Sequence, residues 1–232
     1  MYNPIQLSGA IEKIVSKEDK RKYYRFRPAR YYGGISTADC VGCNLRCRYC
    51  WSWNVVNNPG KTGKFYSPQE VANKLISIAK KFGYKQLRVS GNEPTLAKHH
   101  LLKLISLIPN DYLFILETNG ILIGHDNEYA KELSKYKNLH VRVSLKASNK
   151  EEFLKLTGAE PEFFDYQLKA LENLEKNKVS YHPAVIELAK DINGLRKRLE
   201  KINNNLPAEL EIEPLIEYPA VMSRLRKLGN KI

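Results

Sequence analysis

Three of the four cysteines of this 232-residue chain lie within eight residues, at Cys43, Cys47 and Cys50. Thiolates at such short separations can converge on one soft metal centre, and iron–sulfur clusters and zinc ions are the candidates. A structural zinc site prefers four ligands, commonly two Cys-x-x-Cys pairs separated by about a dozen or more residues. Cys40 forms such a pair with Cys43, but only three residues separate that pair from the next one. So short a connection disfavours a single tetrahedral ion.

A four-iron cluster suits three thiolates better. It leaves one iron without a protein ligand, and an open position on a metal generally indicates chemistry rather than scaffolding. A non-catalytic iron–sulfur or zinc protein would need the same cysteines, so that class remains the alternative.

Short polar motifs follow the cysteines along the chain. They are Gly91, Asn92, Glu93 and Pro94, then Glu117, Thr118, Asn119 and Gly120, then Ser144, Leu145 and Lys146. With the Cys-x3-Cys-x2-Cys spacing and the aromatic Tyr49 before the last cysteine, this order resembles the radical S-adenosylmethionine (radical SAM) enzymes. Four motifs in register make a chance match improbable.

The resemblance implies that Cys43, Cys47 and Cys50 hold a [4Fe–4S] cluster. In enzymes of this kind, SAM binds the fourth iron through its amino and carboxylate groups. Reductive cleavage of SAM gives methionine and a 5′-deoxyadenosyl radical, which takes a hydrogen atom from the substrate. The chain is therefore expected to be an oxidoreductase whose cofactors are the cluster and SAM. An electron-donating protein of the ferredoxin or flavodoxin type is the expected partner.

The resemblance also implies contacts to SAM. The carboxylate of Glu93 would accept hydrogen bonds from the ammonium group, and Gly91 would allow close backbone approach. Asn92 stands where the family usually has a second glycine, and it either contacts SAM or caps the loop. Lys146 matches a lysine that contacts the SAM carboxylate in pyruvate formate-lyase activating enzymes, although a lysine reaching the surface is the alternative. Tyr49 would place its ring near the adenine.

Three further residues belong to this expected cofactor site. Glu117 and Ser144 occupy positions where the activating enzymes have aspartates that help hold a monovalent cation beside SAM. Ser144 lacks the charge, which puts that cation site in doubt. Asn119 could reach the ribose or the methionine. Trp51 and Trp53 either shield the site or pack in the core.

Hydrophobic patterns place these motifs on an α/β fold. Six extended segments alternate with helical ones, and they begin near Gly34, Lys85, Tyr112, Leu139, Val179 and Leu210. This alternation favours a parallel sheet, and the resemblance implies a partial (β/α)6 TIM-type barrel with mostly parallel strands. The motifs follow strand ends, and ligands in such folds bind at the carboxyl ends of strands. All the candidate residues should therefore meet at one rim.

The whole chain, residues 1–232, is expected to form one radical SAM domain. A basic and aromatic N-terminal extension covers residues 1–33, the barrel core residues 34–217 and a C-terminal tail residues 218–232. No apolar run approaches the ~20 residues that span a bilayer, and the first residues do not resemble a secretory signal. We expect a cytoplasmic protein without membrane contact, because the reducing cytoplasm suits thiolates that bind a metal.

The net charge of +13 indicates either a polyanionic partner such as RNA or a solvated, lysine-rich surface. The densest basic stretch, from Lys17 to Arg30, interleaves arginines and lysines with aromatic residues. Such a pattern can bind nucleic acid through phosphate contacts and base stacking. An amphipathic edge strand would show the same pattern.

The sequence leaves open whether the substrate is a protein, a small molecule or RNA. Glycyl-radical activating enzymes act on a glycine of a partner protein, and the Ser144–Lys146 motif favours them. The 7-carboxy-7-deazaguanine synthases act on a pterin, and the Glu117–Gly120 motif favours these. Modification of RNA is the third alternative.

Overall fold

The computed structural model describes residues 1–227, in which nine strands form one sheet. The strands are β1 (Ser16–Lys17), β2 (Lys20–Ala29), β3 (Ile35–Cys40), β4 (Lys64–Tyr66), β5 (Gln86–Ser90), β6 (Leu113–Thr118), β7 (Leu139–Leu145), β8 (Ser180–Ile186) and β9 (Glu211–Glu213). Their order in the sheet is β1-β2-β3-β5-β6-β7-β8-β9, and β4 pairs with β2.

The six strands from β3 to β9, without β4, pair in parallel with their neighbours. They correspond to the six strands predicted from the sequence. The sheet does not close, because β9 lies at one end of the strand order and the antiparallel strands β1 and β2 at the other. The predicted partial (β/α)6 barrel is confirmed.

Helices follow or precede the strands throughout. They are α1 (Pro4–Val15), α2 (Trp53–Asn57), α3 (Pro68–Phe82), α4 (Lys98–Ser106), α5 (Ile121–His125), α6 (Asn127–Leu133), α7 (Lys150–Thr157), α8 (Phe163–Lys176), α9 (Ile192–Glu200), α10 (Leu206–Glu209) and α11 (Pro219–Arg226). The start of α3 follows from its sequence. The Ser67 hydroxyl accepts from the Glu70 backbone N–H, and the Glu70 carboxylate accepts from that of Ser67. This reciprocal capping satisfies two donors that a helix start leaves unpaired.

The two faces of the sheet differ in chemistry. In β7, Val141, Val143 and Leu145 are fully buried in the main hydrophobic core. The alternate residues point to the opposite, concave face, which we call the lumen; Arg142 there pairs with Glu211 of β9. The lumen is therefore lined by charged and polar side chains, while the convex face packs against helices.

The segment expected to be an N-terminal extension is part of this sheet. Strand β2 runs antiparallel to β3 from Tyr23 to Ala29, and its first residues pair with β4 on the other side. Arg21 and Tyr23 are each 1% exposed. The alternating basic and aromatic residues thus form an amphipathic strand that is only partly at the edge of the sheet.

Helices α9 and α10 are separated by a turn in which Asn205 donates its backbone N–H to the side chain of Asn203. Such short-range bonds compete with helical ones. The predicted tail contains α11, which buries Val221 and Leu225, whereas residues 228–232 lie outside the described residues. In residues 1–227, no helix is long and apolar enough to cross a membrane.

Candidate active site

A cavity with about 900 Å³ of empty space, part of it open to solvent, lies at the carboxyl ends of the parallel strands. All eleven cofactor and metal residues predicted from the sequence line it. They are Cys43, Cys47, Tyr49, Cys50, Gly91, Asn92, Glu93, Glu117, Asn119, Ser144 and Lys146. The structure therefore brings together four motifs that are separated by up to about a hundred residues in the chain.

Other lining residues were not among the predicted cofactor and metal residues. They are Trp51, Val56, Ser90, Thr118, Arg142, Ile186, Glu213, Pro214, Leu215 and Ile216. Of these, Trp51 was expected either to shield the site or to pack in the core, and Thr118 belongs to the predicted motif from Glu117 to Gly120. Glu213 ends the last parallel strand and Pro214 follows it, so the end of this strand was the sequence signal for their position at the rim.

Asn92 connects the two ends of the cysteine loop. Its side-chain oxygen accepts from the Gly42 backbone N–H at 3.1 Å, and its amide group donates to the Ser52 hydroxyl at 3.1 Å. The Ser52 hydroxyl lies 3.4 Å from the Cys50 sulfur. Of the two roles left open for Asn92, the loop-capping one is therefore observed. Gly42 has φ +93°, and a Cβ there would lie 2.8 Å from a methyl group of Ile11.

The three thiols have the donor chemistry that a cluster needs. Burial, with the nearby Glu93 carboxylate, raises the pKa of Cys43 well above its usual value. Burial raises the pKa of Cys47 to about 11, although the nearby Lys146 lowers it. Buried thiols near one another become thiolates when a metal centre balances their charge.

Cys43, Cys47 and Cys50 all line the same cavity. In residues 1–227, no three His, Cys, Asp or Glu side chains meet closely enough to hold one ion. In a four-iron cluster, by contrast, each thiolate binds a different iron. Cys40 is fully buried and does not line the cavity. Cys43, Cys47 and Cys50 thus fit as the three ligands of such a cluster.

Glu93 is 1% exposed and makes four hydrogen bonds. One carboxylate oxygen accepts from the backbone and hydroxyl of Thr95 and from the hydroxyl of Thr118, at 3.1, 2.6 and 2.6 Å. Among residues 1–227, the other accepts only from the Asn119 backbone N–H at 2.8 Å. A carboxylate oxygen accepts about two bonds, so this second oxygen retains capacity for another donor.

A buried arginine from β2 holds the loop that carries Glu93. Arg21 donates to the backbone carbonyls of Pro94 at 2.6 Å and Glu93 at 2.7 Å. A longer bond reaches the carbonyl of Val41 at 3.3 Å, just before the cysteine loop. One guanidinium thus joins two loops of the site. No sequence pattern indicated this role.

Glu117 is paired inside the lumen. It accepts from the Arg88 guanidinium at 2.8 Å and from the Ser90 hydroxyl. Burial by itself would raise its pKa, but Arg88 and Arg142 lower the pKa below its usual value. The carboxylate is therefore ionised, and the positive charge of Arg88 balances its negative charge.

Ser144 lies between a cation and a carboxylate. It accepts from the Lys146 ammonium at 2.7 Å and donates to Glu213 at 3.4 Å. Strand β9 therefore places a carboxylate beside the serine that replaces the activating enzymes' aspartate. Lys146 is half-buried at the cavity wall rather than extended to the surface.

The C-terminal helix docks against the cysteine loop. Arg224 of α11 donates to the carbonyls of Cys50 at 2.5 Å and Arg48 at 3.0 Å, and it lies 4.8 Å from the Trp53 ring centroid. Trp51 instead lines the cavity and is 41% exposed. The two tryptophans thus have different surroundings.

Comparison with known proteins agrees with this geometry. Residues 39–188, more than half of the chain, match the radical SAM superfamily. The chain belongs to the radical SAM superfamily. It is a radical SAM enzyme, and its cofactors are a [4Fe–4S] cluster and SAM.

Among curated proteins, the probable GTP 3′,8-cyclase of Methanococcus vannielii is 36% identical over 125 residues, 52% of this chain and 38% of that protein. The GTP 3′,8-cyclase of Clostridium perfringens is 31% identical over 142 residues, 60% of this chain and 42% of that protein. The chain thus spans only about two fifths of the length of these relatives.

Solved structures share the fold. Streptococcus suis SuiB bound to S-adenosylmethionine has a TM-score of 0.61 over 82% of this chain and 44% of that one, with 16% identity. The protein anSMEcpe with bound AdoMet has a TM-score of 0.58 over 81% of this chain and 56% of that one, with 23% identity. At these identities, the similarity concerns the fold.

Proposed function

We propose that this radical SAM enzyme binds its cofactors in the cavity described above and abstracts a hydrogen atom from a small molecule held in the adjoining lumen. The observation that carries the proposal is the convergence of all eleven predicted residues on one cavity. When bound, the cluster and SAM supply a 5′-deoxyadenosyl radical. The chain's own residues bind the cofactors, orient the substrate and shield the radical from solvent.

In this proposal, the carboxylate and the ammonium group of SAM each meet a residue of opposite charge. Cys43, Cys47 and Cys50 hold the cluster. Lys146, close enough to Cys47 to lower its pKa, offers a cation to the SAM carboxylate. The less engaged oxygen of Glu93 accepts from the SAM ammonium.

Other lining residues complete the cofactor site. Gly91 has φ +101°, and a Cβ there would lie 3.0 Å from the Asp39 backbone, so glycine keeps the wall compact. Burial, with Cys47 nearby, raises the pKa of Tyr49 well above its usual value, so its hydroxyl stays neutral beside the adenine. Asn119 contacts the ribose or methionine part. Glu117 and Ser144 contribute polar atoms to the wall.

A purine-type or pterin-type small molecule is the substrate class that we favour over a partner protein. The support is the likeness to proteins named GTP 3′,8-cyclase, at 36% and 31% identity. Structures with bound peptides share only the fold with this chain, such as SuiB bound to precursor peptide SuiA at 17% identity. The electron comes from a ferredoxin-type or flavodoxin-type protein, and the reducing cytoplasm is the proposed location.

The experiment uses oxygen-free protein reconstituted with iron and sulfide to about four irons per chain. With SAM and dithionite, the wild type should release 5′-deoxyadenosine and methionine. Cys43→Ala should bind less iron and release neither. Cys40→Ala is the matched control and should behave as the wild type, because Cys40 does not line the cavity. Absence of 5′-deoxyadenosine from fully loaded wild type, or equal iron loss in both variants, would contradict the proposal.

A further inference from the structure

Two arginines on the lumen face of β2 share one carboxylate oxygen. Arg25 and Arg27 each donate through Nε to Oδ2 of Asp39, at 2.6 and 3.0 Å. The Asp39 side chain is only 1% exposed, yet its Oδ1 has no hydrogen-bond partner among residues 1–227. The hydrogen bonds of both arginines to described residues use Nε alone. Both guanidinium ends therefore keep their Nη groups available.

The charge of this group is not balanced. Two guanidinium groups face one carboxylate, which leaves one positive charge in excess. Elsewhere in the lumen, Arg142 uses both Nε and Nη2 on the two oxygens of Glu211, at 2.8 and 2.9 Å, and Glu213 lies 3.6 Å away. The same face thus holds two neutralised arginines, Arg88 and Arg142, and one pair that still attracts an anion.

The pair borders the proposed cofactor cavity. Asp39 pairs in register with Ser90, which lines the cavity. The guanidinium carbon of Arg25 lies 5.5 Å from the ring centroid of Trp51, another lining residue. The Arg25 and Arg27 side chains are 42% and 27% exposed. A molecule in the lumen can therefore reach both arginines while another part of it lies at the cavity.

The part of β2 that carries this pair lies at an unpaired edge of the sheet in residues 1–227. The segment from Arg25 to Ala29 pairs with β3 on one edge, whereas the pairs of β2 with β1 and β4 involve only residues 20–23. In the described part of the chain, the other edge of this segment is unpaired.

We propose that Arg25 and Arg27 bind a phosphate group of the substrate, with Asp39 fixing the direction of both guanidinium groups. This inference rests on the proposed function, because it assumes a small molecule in the lumen. A single carboxylate has two oxygens in one plane and is satisfied by one guanidinium fork. A phosphate group offers acceptors on several sides and about two negative charges, which suits two forks from separate residues.

The test measures pyrophosphate binding to the SAM-loaded holoenzyme by anaerobic titration calorimetry. The variant R25K/R27K keeps the positive charges beside Asp39 but lacks the paired N–H donors of the guanidinium groups. The variant R25Q/R27Q/D39N removes both positive charges together with the buried carboxylate, so that no unpaired charge weakens folding. We expect pyrophosphate to bind at least ~10-fold more weakly to both variants. The matched control R196Q/K197Q removes two exposed charges from α9 and should bind within about twofold of the wild type.

Three outcomes would overturn the inference: no binding of pyrophosphate by the wild type, equal binding by R25Q/R27Q/D39N, or binding of succinate as tight as that of pyrophosphate. SAM cleavage by the same wild-type sample is measured in parallel. If the wild type cleaves SAM but binds no pyrophosphate, only the phosphate site is wrong. If it binds pyrophosphate through the two arginines but does not cleave SAM, the proposed function fails instead.

Discussion

Asn92 and Glu93 are neighbours in sequence, yet they join different parts of the site. Asn92 bridges Gly42 and Ser52 on either side of the three cysteines proposed to hold the cluster. Glu93 accepts from Thr118 at the end of β6 and from Asn119 directly after it. Because both residues follow β5, one short loop is hydrogen-bonded to the cysteine loop on one side and to the end of β6 on the other. These single-residue contacts set where the thiols and the carboxylate lie.

Asn92→Gly restores the usual family pattern and tests the bridging role of the asparagine. It removes two hydrogen bonds that hold the cysteine loop, each worth about 0.5–1.5 kcal/mol, and it adds backbone freedom. We expect less iron after reconstitution and faster bleaching of the cluster absorbance in air. Asn204→Gly, at an exposed position between α9 and α10, is the control. Wild-type iron content and bleaching rate in Asn92→Gly would exclude a bridging role.

At the scale of elements, the cysteine loop is held by parts of the chain that are far apart. Strand β2 contributes Arg21, which joins the carbonyls before the loop to those beside Glu93. Helix α11 contributes Arg224, which donates to carbonyls within the loop. The loop has little regular structure of its own, so its conformation depends on these neighbouring elements.

Arg224→Gln tests the docking of α11. The shorter side chain loses the bonds to Cys50 and Arg48, and we expect the melting temperature to fall by about 2–4 °C and iron to dissociate faster. The measurements are thermal unfolding and chelator-induced iron release under oxygen-free conditions. Arg226→Gln removes an exposed arginine of the same helix and should match the wild type. Equal iron release by the two variants would mean that α11 does not support the loop.

At the scale of the whole molecule, ion pairs in the lumen connect strands across the open barrel. Arg88 of β5 pairs with Glu117 of β6, and Arg142 of β7 pairs with Glu211 of β9. The His182 ring and the Arg142 guanidinium hold the pKa of Glu211 at about 2, against 4.5 in an unfolded chain. The lumen is thus polar without carrying many unpaired charges.

Glu211→Gln tests this arrangement through the pH dependence of stability. Because the folded pKa is below the unfolded one, ionised Glu211 stabilises the protein fully above about pH 4.5, and this contribution is lost as the pH falls toward 2. The side chain is 40% exposed, so we expect Glu211→Gln to be less stable by only about 1 kcal/mol at pH 7.

Urea unfolding of both proteins between pH 7 and pH 3 measures the difference. The difference in unfolding free energy between the wild type and Glu211→Gln should shrink as the solution becomes acidic. His140, whose pKa burial lowers to about 4, destabilises both proteins over the same range, so the comparison largely removes its effect. Glu200→Gln, at an exposed position, is the control. A difference that stays constant with pH would show that the charge of Glu211 does not matter.

The sequence alone determined the cysteine spacing, the six parallel strands and the placement of the motifs at strand ends. These features follow from local patterns, because side-chain periodicity distinguishes strands from helices, and parallel strands present their carboxyl ends on one rim. The roles expected of Glu93, Lys146 and the three cysteines came instead from the resemblance of their motifs to those of radical SAM enzymes. The substrate was not determined, since no local pattern specifies what a lumen will bind.

Only the tertiary structure decided which partners these residues meet. Arg21 lies 73 residues before Pro94, and Arg224 lies 176 residues after Arg48, yet both pairs are in contact. Arg25 and Arg27 can both donate to one oxygen of Asp39 because of the antiparallel register of β2 against β3. Contacts of this kind arise when distant segments pack together, and the free energy that selects them comes from the whole core rather than from any local stretch.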